Sequence, residues 1–484
     1  MHRVFLIGTI LLLAAIYLIF GYWSYPVFEG DSIYFGPTAI NTMHGKPLIN
    51  EINAIGHAID PGQHRLIFYP PLYPLLLAAI SPTATPRGLD LALAGIDIVT
   101  LILTSLLLVR IVNSSEQISK WRLSVATALA LCGLSTTLLA NDFRPETPLR
   151  PIVLLIAVLM YFMRARADSL PFAIVLGIFL GSIGSMHITA AALVAGLIAL
   201  YIFYSVPWKR GLLNLGVIGL TAAISFALIV SLTPYGLPTT LNGIADHFTL
   251  IYKKGLSWSF LYYHFFAPNT TFYGLLAILS VVLLGLYSFI HRSSIKSPLF
   301  FTSFFIAFLV IAFGAVAPRH LSYIYIFAPL MFIAVATAAI KSRYKALRVL
   351  SWTTLTLTCI GFIRLLYLFP LYATEGISLD EARESFLRLT KSSHVSDLFL
   401  VTQRMWPLTE NYSLIEEPRE DLSNANRLLI RQQFSTGETK APQVANGSCT
   451  LVEENYARGK VALWRLPIAN TIPGYGYAVY RCKK

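Results

Sequence analysis

The residues with chemical potential in this chain are a few carboxylates and guanidinium groups set beside apolar runs. Asp31 follows the first such run, between Gly30 and Ser32, with Glu29 two residues earlier. A carboxylate in that place can take the proton of an attacking hydroxyl or amine, as the base of an inverting transfer must. Its structural alternative is to cap a helix over 32–44, with Gly30 and Ser32 as the turn. A second polar group, Asn141 to Glu146, offers Arg144 between Asp142 and Glu146. Arg144 brings a planar donor fork suited to phosphate or carboxylate; a loop ion pair, worth little at a wet surface, is the alternative. Arg319 stands between Pro318 and His320 in a very short turn. It is a second candidate for a phosphate, or a side chain reaching for lipid headgroups. His187 ends a run containing Gly177, Gly181 and Gly184, glycines spaced for close helix packing. It is either a packed, hydrogen-bonded residue or a ligand.

Asp97 lies inside the apolar run from Ile96 to Leu108. An intramembrane carboxylate is a functional candidate by default, and this one has no evident partner in the sequence. His44, His57 and His64 share one polar loop with several acids but lack a metal-ligand spacing such as HExxH. The sequence therefore names no cofactor, and a divalent metal is neither required nor ruled out. No Walker A, GxGxxG or GxSxG motif occurs in the right context.

The elements that must position these residues are apolar. Of 484 residues, 56% are hydrophobic and 13% charged, about half the charged share of an ordinary soluble domain. Spans are expected at 4–22, 89–110, 123–140, 151–163, 171–186, 188–206, 212–232, 272–290, 299–317, 321–340 and 347–369. The stretch 66–80 is apolar too, but short and broken by Pro70, Pro71 and Pro74. If it does not cross, and the N-terminus is inside, 14 basic residues and only Glu116 and Asp168 fall in interior segments. If it crosses, every later basic cluster flips outward, against the positive-inside rule. The expectation is a polytopic α-helical membrane protein with about 11 transmembrane helices, N-terminus in and C-terminus out. Residues 66–80 are then a juxtamembrane or re-entrant piece. The polar segments 23–88, 141–150, 233–271 and 371–484 share the outer face. The N-terminal apolar run resembles a signal peptide without a small-residue cleavage site, and is read as an uncleaved anchor.

The net charge of +13 does not mark a nucleic-acid binder. Residues 371–484 hold 14 basic and 13 acidic residues, so the excess lies in the apolar part, chiefly between spans. The expected domains are 1–370, a transmembrane unit with first external loop 23–88, and 371–484, a small α/β extracytoplasmic unit. β-like runs occur at 398–401, 461–464 and 475–480. Cys132 and Cys359 fall within spans. Cys449 and Cys482 fall in the C-terminal segment, where an oxidising compartment would allow a disulfide, with two free thiols as the alternative.

In their order these motifs resemble a family. Gly30-Asp31-Ser32 with the helix to Gly45-Lys46-Pro47, the Tyr69-Pro70-Pro71-Leu72-Tyr73-Pro74 element, Arg144-Pro145-Glu146, the glycine-rich span ending at His187, and Arg319 before an aromatic-rich span ending in Ala328-Pro329 look like the GT-C glycosyltransferases related to protein O-mannosyltransferases and the lipid A aminoarabinose transferase. The resemblance covers about residues 1–370. It implies a polyprenyl-phosphate sugar donor used on the extracytoplasmic face of the cytoplasmic membrane, without nucleotide. Asp31 would match the catalytic acid, and Arg144 and Arg319 would be similar to residues that hold the donor phosphate or frame the site. Glu29, Lys46, Tyr69, Tyr73, Asp142, Glu146, His187 and His320 would line the site. The chain has Ser32 where the family often has a second acid, Tyr69 where it often has Lys or Glu, and His187 where it commonly has Lys.

The function expected is sugar transfer from that donor to a glycolipid, glycan or protein acceptor, within the lipid bilayer. Two other classes are open. A transporter or flippase would use Asp97 at depth. A non-catalytic envelope assembly protein would use the C-terminal segment to bind a partner.

Overall fold

The structure is a computed structural model, and it describes residues 2–25, 32–50, 66, 69–113, 119–139, 144–163, 167–252, 271–290, 302–309, 325–393, 397–400, 403–408, 415–416, 427–432, 448–455 and 475–483. Its helices are α1 His2–Tyr22, α2 Ser32–Met43, α3 Leu72–Ile80, α4 Pro86–Asn113, α5 Lys120–Leu139, α6 Glu146–Phe162, α7 Leu170–Met186, α8 Ile188–Ser205, α9 Trp208–Ser231, α10 Gly236–Tyr252, α11 Thr271–Ile290, α12 Ala328–Lys341, α13 Lys345–Glu375 and α14 Leu379–Ser393. Among the described residues six stretches, Arg3–Tyr22, Pro86–Val112, Lys120–Leu139, Ile188–Ser205, Trp208–Ser231 and Lys345–Thr374, are long and apolar enough to cross a membrane. The chain is a helical membrane protein. Three further apolar helices, Leu170–Met186, Leu279–Ile290 and Tyr325–Lys341, are shorter. Part of the expected spans 299–317 and 321–340 lies outside the described residues.

The expected 66–80 element is α3, of nine residues. At about 1.5 Å per residue it is roughly 14 Å long, under half of the ~30 Å hydrocarbon core. Pro71 at its N-cap and Pro74 in its first turn remove N–H groups that have no helical partner there.

The helix after Arg144 differs from its sequence reading. Residues 141–150 read as a loop, with a span beginning at 151. Instead α6 begins at Glu146. Pro145 is the N-cap and Pro148 falls in the first turn, where a missing N–H costs nothing. That start puts Arg150 inside the helix, fully buried. Its charge is neutralised by Asp97 of α4, Nη1 to Oδ1 3.2 Å.

The glycines of α7 pack as their spacing predicts. A Cβ on Gly177 would lie 2.8 Å from the Ile218 carbonyl oxygen of α9 and 2.6 Å from Thr221 Cβ, and one on Gly181 would lie 2.6 Å from Ser225 Cβ. The backbones of α7 and α9 therefore meet closely, and larger residues at 177 and 181 would hold them apart. At Gly184 the nearest such atom is 3.5 Å away, an ordinary contact. The other face of α9 is open, with Leu213, Leu220 and Leu228 exposed, as suits a helix against lipid.

The C termini of α1, α5 and α13 lie at one end of the bundle with the N-terminus of α4. Tyr17 OH donates to the Ser135 carbonyl, and Tyr372 OH donates to the Trp23 carbonyl. Gly21 is packed against Asp90 and Ala94. The expected boundary at 370 falls inside α13, which continues unbroken to Glu375.

At this end the last part of the chain forms a five-stranded sheet: β1 Asp397–Leu400, β2 Ile415–Glu416, β3 Arg427–Gln432, β4 Ser448–Asn455 and β5 Tyr477–Lys483. The order is β2-β1-β3-β5-β4. β1 is parallel to β2 and β3; β5 is antiparallel to β3 and β4. The β-like runs at 398–401 and 475–480 become β1 and β5, and the run at 461–464 lies outside the described residues. In the register of β4 and β5, Cys449 stands opposite Cys482, with an irregularity between Leu451 and Glu453. α14 covers part of the sheet: Leu379, Ala382 and Phe386 are buried at the i, i+3, i+7 spacing of one helix face. Phe386 meets Tyr477 edge to face at 5.7 Å. Glu453 accepts from Ser385 and from Tyr477 OH.

Candidate functional site

Glu29, Asp31, Asp142, Arg319 and His320 lie outside the described residues. The geometry on either side of them is described, and it gathers the remaining candidates unevenly.

α2 starts at Ser32, the residue after Asp31. It ends in a Schellman motif: Gly45 has φ +80°, Lys46 N–H donates to the Asn41 carbonyl at 2.8 Å, and Gly45 N–H donates to Thr42 at 3.1 Å. Glycine adopts that left-handed turn without a Cβ penalty. The turn throws Lys46 onto the surface. The chain then folds back on α2. Asn50, fully buried, donates through Nδ2 to the carbonyls of Ile33 and Tyr34, at 3.0 Å each, and to Thr38 Oγ1. Asn41 donates to the Ile49 carbonyl at 3.1 Å. These asparagines satisfy buried backbone carbonyls that would otherwise cost stability.

The Tyr69–Pro74 element meets the same helix. Phe35 of α2 packs edge to face against Tyr69 at 4.8 Å and against Tyr73 at 4.9 Å, and Tyr34 lies 5.9 Å from Tyr69. Tyr73 is fully buried and Tyr69 partly so. The two motifs of the first long loop, 30 residues or more apart, thus form one packed unit of α2 and α3.

Trp406 joins that unit from the far end of the chain. It sits on a short 3-10 helix, Gln403–Leu408, and is fully buried. Its Nε1–H donates to Ser32 Oγ at 2.8 Å. Its benzo ring covers Gly36, where a Cβ would lie 2.6 Å from Cη2. Ser32 and Gly36 are one turn apart on the same helix face.

Arg144 stands just before α6, and its Nε lies 3.5 Å from Glu146 Oε2. The Glu146 side chain is fully buried and that of Arg144 is 22% exposed. The acid thus holds one edge of a guanidinium that still reaches solvent, a group with five N–H donors in a planar fork. Four residues on, Arg150 makes its pair with Asp97. A small void of about 10 Å³ lies between α1, α4 and α5, lined among others by Tyr17, Gly21, Asp90 and Asp97. That volume has room for about one water.

His187 is a helix cap. It ends α7 and begins α8 in an extended conformation, and its Nδ1 accepts from the Ala190 N–H at 3.4 Å. An acceptor at that position satisfies one of the orphan donors of a helix start. Among the described residues no group of three or more His, Cys, Asp or Glu is placed to hold a metal ion.

Sequence reasoning missed Arg150, Asn50 and Trp406. Arg150 carried a signal, a charge one residue from an expected span. Trp406 carried none that a local pattern could show.

No family model matches the chain, and no curated protein matches it. Among solved structures the chain is similar to the oligosaccharyltransferase of Archaeoglobus fulgidus, crystallised in the apo form, with 12% identity and a TM-score of 0.38. The match covers 75% of this chain and 56% of that one, so this chain spans little more than half the length of that enzyme. A likeness so distant carries no argument about what this chain does.

Proposed function

We propose that the chain is an integral membrane glycosyltransferase of the GT-C class. It transfers a sugar from a polyprenyl-phosphate donor to a glycolipid, glycan or protein acceptor. The setting proposed is the cytoplasmic membrane, with the N-terminus inside and the site on the extracytoplasmic face, as the distribution of basic residues favours. The transmembrane unit is 1–370 and the extracytoplasmic unit 371–484.

One observation carries most of the support. The helix that begins one residue after Asp31 packs against Tyr69 and Tyr73 and receives Trp406 from the C-terminal segment. Two motifs that the family resemblance singles out are thereby neighbours, at the end of the bundle where the sheet sits. Asp97, the acid that the transporter reading would use, is paired with Arg150 inside the bundle.

The proposed step balances as a single displacement. The acceptor hydroxyl or amine attacks the anomeric carbon, and the bond from that carbon to the phosphate oxygen breaks. Asp31 takes the proton of the acceptor. The polyprenyl phosphate leaves with the bonding pair, and its growing charge is met by the guanidinium groups of Arg144 and Arg319, which act more strongly in a site of low dielectric. Glu29 and Asp142 are the alternative bases. Lys46, Tyr69, Tyr73, Glu146, His187 and His320 belong to the surroundings of the site in this reading.

The test is transfer of label from tritiated lipid-linked sugars in vesicles carrying wild-type protein or Asp31→Asn, at matched folded abundance. Transfer by wild type and its loss in the variant are expected. Equal transfer by both would remove Asp31 from the role of base, and no transfer by wild type would remove the enzyme reading.

A further inference from the structure

At the end of the bundle away from the sheet, two helices begin side by side. α5 and α13 pack against each other: Thr136 Oγ1 donates to the Thr358 carbonyl at 3.0 Å, and Cys359 Sγ donates to the Leu129 carbonyl at 3.4 Å. Their C termini share one end of the bundle, so their N termini share the other. Gly133 of α5, where Thr358 leaves no room for a Cβ, marks a common level. Thirteen residues separate Lys120 from Gly133, and thirteen separate Lys345 from Thr358, about 20 Å of helix in each case. The two first turns therefore lie at about the same depth. α1 begins at this end too, with the Phe5 ring 5.3 Å from that of Trp121. So do the C termini of α4 and α12 come here, joined by the bond from Lys341 Nζ to the Ile111 carbonyl at 2.8 Å.

The two first turns carry four cations, Lys120 and Arg122 on α5 and Lys345 and Arg348 on α13. Neither turn contains an acid. Among the described residues none of the four cations is in an ion pair; Glu116, four residues before Lys120, lies outside the described residues. Lys120, Arg122 and Lys345 are exposed. Trp121 and Tyr344, beside them in the chain, are exposed as well, at 58% and 57%.

We propose that the starts of α5 and α13 form a docking surface for the phosphates of anionic phospholipids such as phosphatidylglycerol. The inference goes beyond the function proposed above and does not depend on it.

Three observations carry it. The first is position. Lys120 and Lys345 are the first residues of two stretches long and apolar enough to cross a membrane. Their side chains stand where a helix leaves the hydrocarbon, and a long cationic side chain there lays its stem on apolar surface and its charge among the headgroups. The second is the company of Trp121 and Tyr344, residue types that favour the same interfacial layer. A face built only for water has no use for two exposed rings. The third is that the fold does not account for the charges. Lys341 closes the end of α4, and Arg110 stacks over Phe162 at 5.8 Å; the four cations of the first turns have no such task among the described residues. The start of a helix favours acidic side chains and disfavours cations, so their placement costs helix stability unless negative charge comes from outside the chain. An anionic leaflet supplies it, and each cation near such a surface adds to the attraction. A zwitterionic lipid brings a phosphate without net charge, and so separates this surface from a merely solvated one.

The test uses the full chain purified in dodecyl maltoside. Its unfolding temperature is followed as dioleoylphosphatidylglycerol or dioleoylphosphatidylcholine is added, and the lipid that stays bound is counted by native mass spectrometry. Phosphatidylglycerol is expected to raise the unfolding temperature more than phosphatidylcholine does, by a margin that shrinks as sodium chloride is added. A chain with Lys120→Gln and Lys345→Gln is expected to need roughly thirtyfold more phosphatidylglycerol for the same rise, and to hold fewer copies of it. Both positions are exposed, so this variant is expected to unfold near the wild-type temperature in phosphatidylcholine. Two controls separate local charge from net charge. Lys120→Arg with Lys345→Arg keeps the cations and is expected to keep the response. Arg388→Gln with Lys391→Gln removes as much charge from exposed positions of α14, at the sheet end, and is also expected to keep it. Where the first variant does not fold, Arg122→Gln with Arg348→Gln takes its place under the same criteria. An equal response of the wild type to the two lipids would overturn the proposal. So would a full response in the glutamine variant, a loss as large in the α14 control, or the same stabilisation by inorganic phosphate alone.

Discussion

Arg150 of α6 and Asp97 of α4 form an ion pair with Nη1 3.2 Å from Oδ1, and neither side chain is more than 1% exposed. Leu101, Leu149, Val153 and Leu154, close to them in sequence, are buried. Taking two charges out of water is expensive, and a pair returns that cost only while both members are present. Such a pair adds little net stability while both members stand, and costs much when one is removed.

The asymmetry gives a clear expectation. Arg150→Met leaves a buried carboxylate without its cation and is expected to destabilise the fold by about 3–5 kcal/mol. The double variant Arg150→Met, Asp97→Leu is expected to recover most of that loss. Thermal unfolding of the purified protein in detergent measures both. A double variant no better folded than Arg150→Met would show that the charges do not act as a pair.

Much of the bundle could be read from sequence because its signal is local. A run of apolar residues as long as a bilayer is thick specifies a helix without reference to its neighbours. The glycines of α7 and the short, proline-broken α3 follow from the same kind of reasoning. Arg150 falls one residue outside the expected span 151–163, since a charge is costly within an apolar run. The cation becomes acceptable inside only because Asp97, 53 residues earlier, is there to meet it. Trp406 is a stronger case. Its place depends on a glycine and a serine about 370 residues away, and no periodicity or spacing connects them. Asn50 likewise reads as an ordinary loop residue until α2 exposes the carbonyls that it binds.

The α7–α9 contact predicts a graded series. Gly181→Ala puts a methyl within 2.6 Å of Ser225 Cβ, where backbone lies too close to move aside cheaply. A loss of about 1–3 kcal/mol is expected from such overpacking. Gly184→Ala meets only contacts at 3.5 Å or more, and Gly216→Ala meets nothing within 4 Å. Those two are expected to be neutral, or slightly stabilising through helix propensity. Melting temperatures of the three, measured side by side, check the order. Equal losses at 181 and 216 would mean that α7 and α9 do not pack as described.

His187 can be tested as a cap and as a ligand in one experiment. Its Nδ1 accepts from Ala190 N–H, so His187→Asn or His187→Ser keeps an acceptor for the start of α8. His187→Ala is expected to cost about 0.5–2 kcal/mol, and the two polar variants far less. If stability follows that pattern and transfer follows stability, the histidine serves α8. If His187→Asn folds like wild type but loses transfer, the imidazole has a task in the site as well.

The register of the sheet bears on sidedness. Cys449 of β4 and Cys482 of β5 are backbone partners in an antiparallel pair. Opposed Cα atoms in such a pair lie about 4.5 or 5.5 Å apart, and both separations fall within the roughly 4.4–6.8 Å that a disulfide spans. The backbone therefore permits the bond without movement, and the compartment decides whether it forms. On an oxidising, extracytoplasmic face, alkylation of the denatured chain without reductant is expected to modify only Cys132 and Cys359. After reduction all four cysteines should react, and the two new sites should map to the β4 and β5 peptides. Cys449 and Cys482 that both alkylate without reductant would argue against the proposed outward placement of the sheet. The expected result would place Tyr475 and Trp406, which belong to the same segment, on the extracytoplasmic side with the sheet.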